Sequence, residues 1–184
     1  EQDMKSVLIS INPKWCELIA SGKKTVEVRK TRPKLETPFK VYIYETLGKT
    51  KWCNTCKEPC ERPYTNCACH EGWGKVIGEF VCDAIFPISC YYSDVKARGI
   101  HRAQPYTCLT DKEMIDYLGN GVEGYGWHIS DLVIYDKPKS IGEFCMPCDP
   151  DPQCDCQYCM THGRSPSMTI KRAPQSWCYV EERR

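Results

Sequence analysis

Between residues 11 and 29 the hydrophobic period changes from that of a helix to that of a strand, and three charged side chains sit just past the changeover. Asn12-Pro13 starts the helix: an Asx side chain caps free amides, and proline is tolerated at the first helical position. Ile11, Trp15, Leu18 and Ile19 then recur at helical spacing, and Gly22 falls where a left-handed C-cap belongs. From Thr25 the pattern alternates, which predicts Val26 and Val28 on one face and Thr25, Glu27 and Arg29 on the other. Lys24, at the bend, can reach both Glu27 and Arg29. Read from spacing alone, this is either a solvated strand face with an ordinary ion pair or the wall of a charged cleft.

The charge distribution bears on that choice. The formal net charge is only +1. Between Lys23 and Lys40, however, seven cations (Lys23, Lys24, Arg29, Lys30, Arg32, Lys34, Lys40) face only Glu27 and Glu36. Such a run beside the motif favours a phosphate-contacting rim, because cations gain affinity for a nucleic-acid backbone by releasing its counterions. No apolar run approaches the ~20 residues needed to span a bilayer, which gives no expectation of a membrane partner. The polar N-terminus lacks the look of a secretory signal, and cytoplasm is the expected compartment.

Cysteine is the second strong signal. There are fifteen, and ten fall in two short stretches. The first holds Cys53, Cys56, Cys60, Cys67 and Cys69, with His70 adjoining; the second holds Cys145, Cys148, Cys154, Cys156 and Cys159, with His162 close behind. The odd total and tight C-x-x-C spacings argue against a disulfide framework and for metal. Two thiolates on one turn bind from one side, and a second pair closes a tetrahedron. Neither stretch has enough apolar residues to order itself, so structural Zn²⁺ at one or two sites would supply the ordering free energy. Cys145/Cys148 with Cys156/Cys159 is the sharper set. In the first stretch Cys53 and Cys56 pair, while Cys60, Cys67, Cys69 and His70 compete to complete the site. Zinc loops of this kind also offer a surface to a protein partner. The scattered Cys16, Cys82, Cys90, Cys108 and Cys178 read as small hydrophobes.

Gly22, Lys24, Glu27 and Arg29 fit the pattern G-x-K-x-x-E-x-R, which resembles the signature of ASCH domains. The likeness continues through Ser6–Arg32, Gly74–Asp83, Tyr125–Phe144 and Arg172–Glu182, and is closest to ASCH proteins of bacteria and their phages. It implies a fold similar to the PUA RNA-binding domain. The expected fold class is therefore α+β: a small mixed β-barrel with short flanking helices over residues 1–184, with insertions at about 47–73 and 145–162.

That resemblance implies RNA or nucleotide binding, with Lys24 and Arg29 contacting phosphate or a base edge, Glu27 orienting them or accepting from an exocyclic amine, Lys30 and Arg32 on the basic rim, and Tyr125 and Trp127 as stacking candidates. For Trp127 a plain core position is the competing reading, and His128 reads as structural. One branch of similar small ASCH proteins consists of amidohydrolases that deacetylate acetylcytidine. Lys24 maps onto their catalytic lysine, which makes Lys24 and Glu27 the catalytic candidates of that alternative. The chain departs from that branch by carrying Glu27 in place of threonine, and Glu113 or Asp116 would have to supply a further carboxylate.

The remaining elements follow from local signals. Strands are predicted at Ser6–Ile11, Lys24–Lys30, Lys40–Thr46, Lys75–Ala84, Trp127–Asp136 (interrupted or bulged near Ser130-Asp131) and Ser176–Glu181. Helices are predicted at Pro13–Ala20 and Asp111–Leu118, the latter capped by Thr110 and Glu113 and stopped by Gly119. Residues 31–38 read as loop, 89–105 as loop with at most a helical turn, and the glycine-rich 121–126 as a mobile loop.

Overall fold

A computed structural model describes residues 6–47, 52–53, 58–59, 72–89, 104–147 and 169–182. In chain order its elements are β1 (Ser6–Ile11), α1 (Pro13–Ala20), β2 (Val26–Arg29), β3 (Phe39–Glu45), β4 (Trp52–Cys53), β5 (Glu58–Pro59), β6 (Lys75–Cys82), β7 (Ile85–Ser89), a helical turn Gln104–Thr107, α2 (Asp111–Leu118), β8 (Glu123–His128), β9 (Ser130–Lys139), β10 (Phe144–Cys145) and β11 (Trp177–Glu182). These gather into two compact units. One comprises Glu1–Pro13, Lys40–Glu79 and Ile134–Arg184; the other comprises Lys14–Phe39 and Phe80–Val133. Among the described residues no helix is long and apolar enough to cross a membrane.

The first unit is built on a mixed sheet ordered β10-β11-β1-β3-β6-β9. β1 runs parallel to β3 and antiparallel to β11. All six residues of β1 are buried, as expected for a strand covered on both faces. Leu8, Tyr42, Val76, Phe144, Ile170 and Val180 form its core cluster, and the Tyr42 and Phe144 rings meet edge to face at 4.8 Å.

In the second unit the sheet is ordered β2-β8-β7. Val26 and Val28 pack with Ile88, Leu109, Met114 and Leu118, and with Trp15, Phe86 and Ile115 at the margin. The alternation read from the sequence therefore holds: the two valines line the core. Helix α1 spans the predicted residues, and Gly22 takes the left-handed conformation (φ 72°) foreseen for its end. α2 also has its predicted bounds, with the reciprocal Thr110/Glu113 capping box in place.

Two expectations need correction. Residues 121–126 are not a free glycine loop, because Glu123–His128 form β8, hydrogen-bonded to β2 on one side and β7 on the other. Here glycine serves close packing. A Cβ at Gly126 would lie 2.6 Å from Phe86 Cε2, and one at Gly124 would lie 2.5 Å from Leu118 Cδ2 and 3.0 Å from the Arg29 carbonyl oxygen. Secondly, β7 was read as no element at all; Pro87 sits within it, at the sheet margin where a missing amide is tolerated. The interruption read near Ser130-Asp131 is present: Ile129 separates β8 from β9, and Asp131 takes φ 45°.

Candidate functional site

Lys24 is pinned before its side chain does anything. The amides of Gly22, Lys23 and Lys24 donate to the last carbonyls of α1, at Ile19 and Leu18, satisfying acceptors that a helix end leaves open. The Thr25 amide then donates to the Tyr106 carbonyl at 2.9 Å, and the Thr25 carbonyl accepts from the Ile129 amide at 2.9 Å. This directs the Lys24 side chain inward, where the residue is only 1% exposed. Its Nζ lies 2.7 Å from the Thr107 carbonyl oxygen, 2.9 Å from that of Val26 and 3.2 Å from Glu27 Oε2. That provides one acceptor for each ammonium hydrogen. The Trp15 ring completes the enclosure, its centroid 5.3 Å from Nζ.

Glu27 is the bridge. While Oε2 faces Lys24, Oε1 accepts from Arg29 Nη2 at 2.9 Å. Glu27 and Arg29 are each 6% exposed. The three side chains converge as the spacing foresaw, and their formal charges sum to +1 in a desolvated setting where fields are strong.

The loop that closes over Lys24 was not foreseen. Thr107 is fully buried, and Cys108, at φ 58°, turns its Sγ to the Lys23 carbonyl at 3.3 Å. Thr107 contributes a main-chain oxygen, which any residue type carries, so no sequence signal announces it. Tyr117 was also missed. It stands on α2, with its hydroxyl beside the Arg29 guanidinium and the Lys30 main chain. Burial raises its ionisation above the ordinary range, offset in part by Arg29. Its i+3 spacing from Met114 marks it only as the edge of a helix face.

The other candidates are distributed as follows. Lys30 and Arg32 are exposed just beyond β2. Tyr125 is half-buried and stands opposite Arg29 in the β2–β8 register. Trp127 stands opposite Glu27 but is 0% exposed, with its ring 5.9 Å from that of Phe39, edge to face. It is a core residue and offers no ring face to a base. Glu113 is engaged in its capping box and with Lys14 at 2.8 Å; the Lys14 hydrogen bond, with those of Thr110, holds its carboxyl down at about 2. Asp116 is an exposed partner of Lys112. His128 Nδ1 lies 2.6 Å from Asp83 Oδ1, a contact that lowers the Asp83 carboxyl.

Of the cysteine clusters, Cys56, Cys60, Cys67, Cys69, Cys148, Cys154, Cys156 and Cys159 lie outside the described residues, as do His70 and His162. Cys53 belongs to β4, opposite Glu58 of β5, and Cys145 is buried in β10. Among the described residues no group of three or more potential ligands is gathered. Of the scattered thiols, Cys90 lies outside the described residues, Cys16 and Cys82 are buried, and Cys108 and Cys178 are half-buried; burial pushes Cys82 up to about 12 and Cys178 up to about 11, far from thiolate reactivity at neutral pH.

Comparison with known proteins points one way. The ASCH domain family description matches residues 9–140. Crystal structures of two point mutants of an ASCH protein from Zymomonas mobilis are similar in fold. One has a TM-score of 0.51 at 19% identity, covering 96% of this chain and 91% of the other. For the second the values are 0.54, 18%, 97% and 90%. Likeness at such identity speaks for the fold alone, which is mostly β with two helices and consistent with the PUA-like class. No curated protein sequence matches the chain. With the family match covering residues 9–140 and the Lys24–Glu27–Arg29 network assembled inside it, the protein belongs to the ASCH domain family.

Proposed function

We propose that the chain is an RNA- or nucleotide-binding ASCH domain whose buried Lys24–Glu27–Arg29 network organises the site, while exposed cations beside it contact phosphate. The family match supports this as a general class of partner. The observation that carries it is the division of labour along β2. Lys24, Glu27 and Arg29 are withdrawn from solvent, and Lys30 and Arg32 emerge immediately afterwards on the exposed side. Buried ions define a shape, whereas exposed cations contribute counterion release.

Binding of a short single-stranded RNA, followed by fluorescence anisotropy across a salt series, tests this. Affinity is expected to fall steeply with salt, and Lys30→Ala and Arg32→Ala are each expected to lower the salt slope by about one unit. Salt-independent binding, or variants with an unchanged slope, would remove the assignment.

The hydrolase alternative has less support. A lysine acting as base or nucleophile presents a lone pair to substrate, whereas every ammonium hydrogen of Lys24 is directed at a protein oxygen. Glu113 and Asp116 are engaged elsewhere.

Zinc is proposed on the cysteine spacing. The β4–β5 pairing sets Cys53 opposite Glu58, and in the sequence Cys56 follows three residues later, the C-x-x-C spacing at which two thiolates share one metal. Elemental analysis of protein purified without chelator is expected to find about one or two zinc ions per chain. Protein that is folded and metal-free would dispose of the idea.

A further inference from the structure

Tyr117 occupies an unusual position for a surface residue of a helix. Two residues that face the core, Met114 and Leu118, fix the orientation of α2. Tyr117 lies at the margin of that face, 36% exposed. Its hydroxyl end lies beside the Arg29 guanidinium and the Lys30 main chain. The ring itself is overlain by a cation, with Lys30 Nζ 5.4 Å from its centroid. On the neighbouring strand Tyr125 faces Arg29 across the β2–β8 register.

We propose that the exposed face of Tyr117 is a stacking platform for an unpaired nucleobase, and that Lys30 caps this face in the free protein and moves to a phosphate when the base arrives. This rests on the nucleic-acid reading above and names the residue that would receive a base. Every base has a π-face, so a partly exposed ring on a helix seated by Met114 and Leu118 suits sequence-tolerant stacking. A lysine is a suitable cap, because its flexible stem lets the ammonium exchange a ring for a phosphate without moving the backbone. Tyr117 is also tied to the buried network through Arg29, so occupancy of the platform and the geometry of the charged triplet are coupled.

Three variants test this with a labelled single-stranded RNA and, separately, with uncharged adenosine. Tyr117→Ala is expected to weaken RNA binding about tenfold or more, whereas Tyr117→Phe, which keeps the ring, should stay within about threefold of the parent. Lys30→Ala is expected to act with opposite signs on the two ligands: RNA binds more weakly for want of a phosphate contact, and adenosine binds more tightly because the ring is uncovered. An unchanged Tyr117→Ala, with the parent protein binding RNA normally, overturns the platform and leaves the broader reading standing. Tyr117→Phe losing as much as Tyr117→Ala also overturns it, by showing that the hydroxyl beside Arg29 matters rather than the ring. A parent protein that binds no RNA overturns both. Should Tyr117→Ala fail to fold, the Lys30→Ala comparison still decides: weaker adenosine binding contradicts the cap.

Discussion

Replacing Glu27 by alanine is expected to cost about 3–5 kcal/mol of folding stability, a large share of the roughly 5–15 kcal/mol that holds a domain folded. The reason lies in what would remain. Glu27 is the carboxylate shared by Lys24 and Arg29, at 3.2 Å and 2.9 Å, and all three residues are at most 6% exposed. Removing it leaves two cations facing each other in a setting from which water is largely excluded. Glu27→Gln separates shape from charge: it keeps the volume and one acceptor oxygen, and should recover part of the loss but not most of it. Urea denaturation of the three proteins measures this. A loss below about 1 kcal/mol for the alanine variant would place the network in the class of solvated surface pairs and contradict the burial argument.

Trp127→Ala should produce a loss of similar size, about 3–5 kcal/mol, from a different source. The side chain is fully buried against Phe39, and the cavity left by an indole cannot collapse where β8 is held between β2 and β7. Trp127→Phe should cost less, since an aromatic ring still meets Phe39. The informative comparison sets stability against RNA affinity. Core placement predicts lost stability with little change in the affinity of the folded fraction. The reverse outcome, full stability with weakened binding, would make Trp127 a contact residue after all.

The parts of this fold that could be read from the sequence are those carried by near neighbours. The α1 boundaries follow from Asn12-Pro13 and Gly22, and the α2 boundaries from Thr110, Glu113 and Gly119, because caps act within a few residues. The convergence of Lys24, Glu27 and Arg29 was legible for the same reason: a strand puts alternate residues on one side, and a lysine at the bend is long enough to follow. What escaped was long-range. Nothing in the vicinity of Thr107 or Tyr117 records that the β2 segment, some eighty to ninety positions earlier, would come to rest beside them. Gly124 and Gly126 were misread because glycine has two uses, conformational freedom and close approach, and only the neighbours Leu118 and Phe86 distinguish them. β7 went unseen because five residues with a central proline resemble a turn until the adjoining strand is known.

The grip on Lys24 has a lopsided tolerance built into it. Two of its three acceptors are peptide oxygens, from Val26 and Thr107, and these persist whatever side chain is substituted there. Drift at those two positions can therefore reshape the local packing while the ammonium stays anchored. Only Glu27 holds it by a group that a single codon change can delete, so a laboratory library or a lineage exploring this site would find positions 26 and 107 permissive for Lys24's anchorage and 27 guarded.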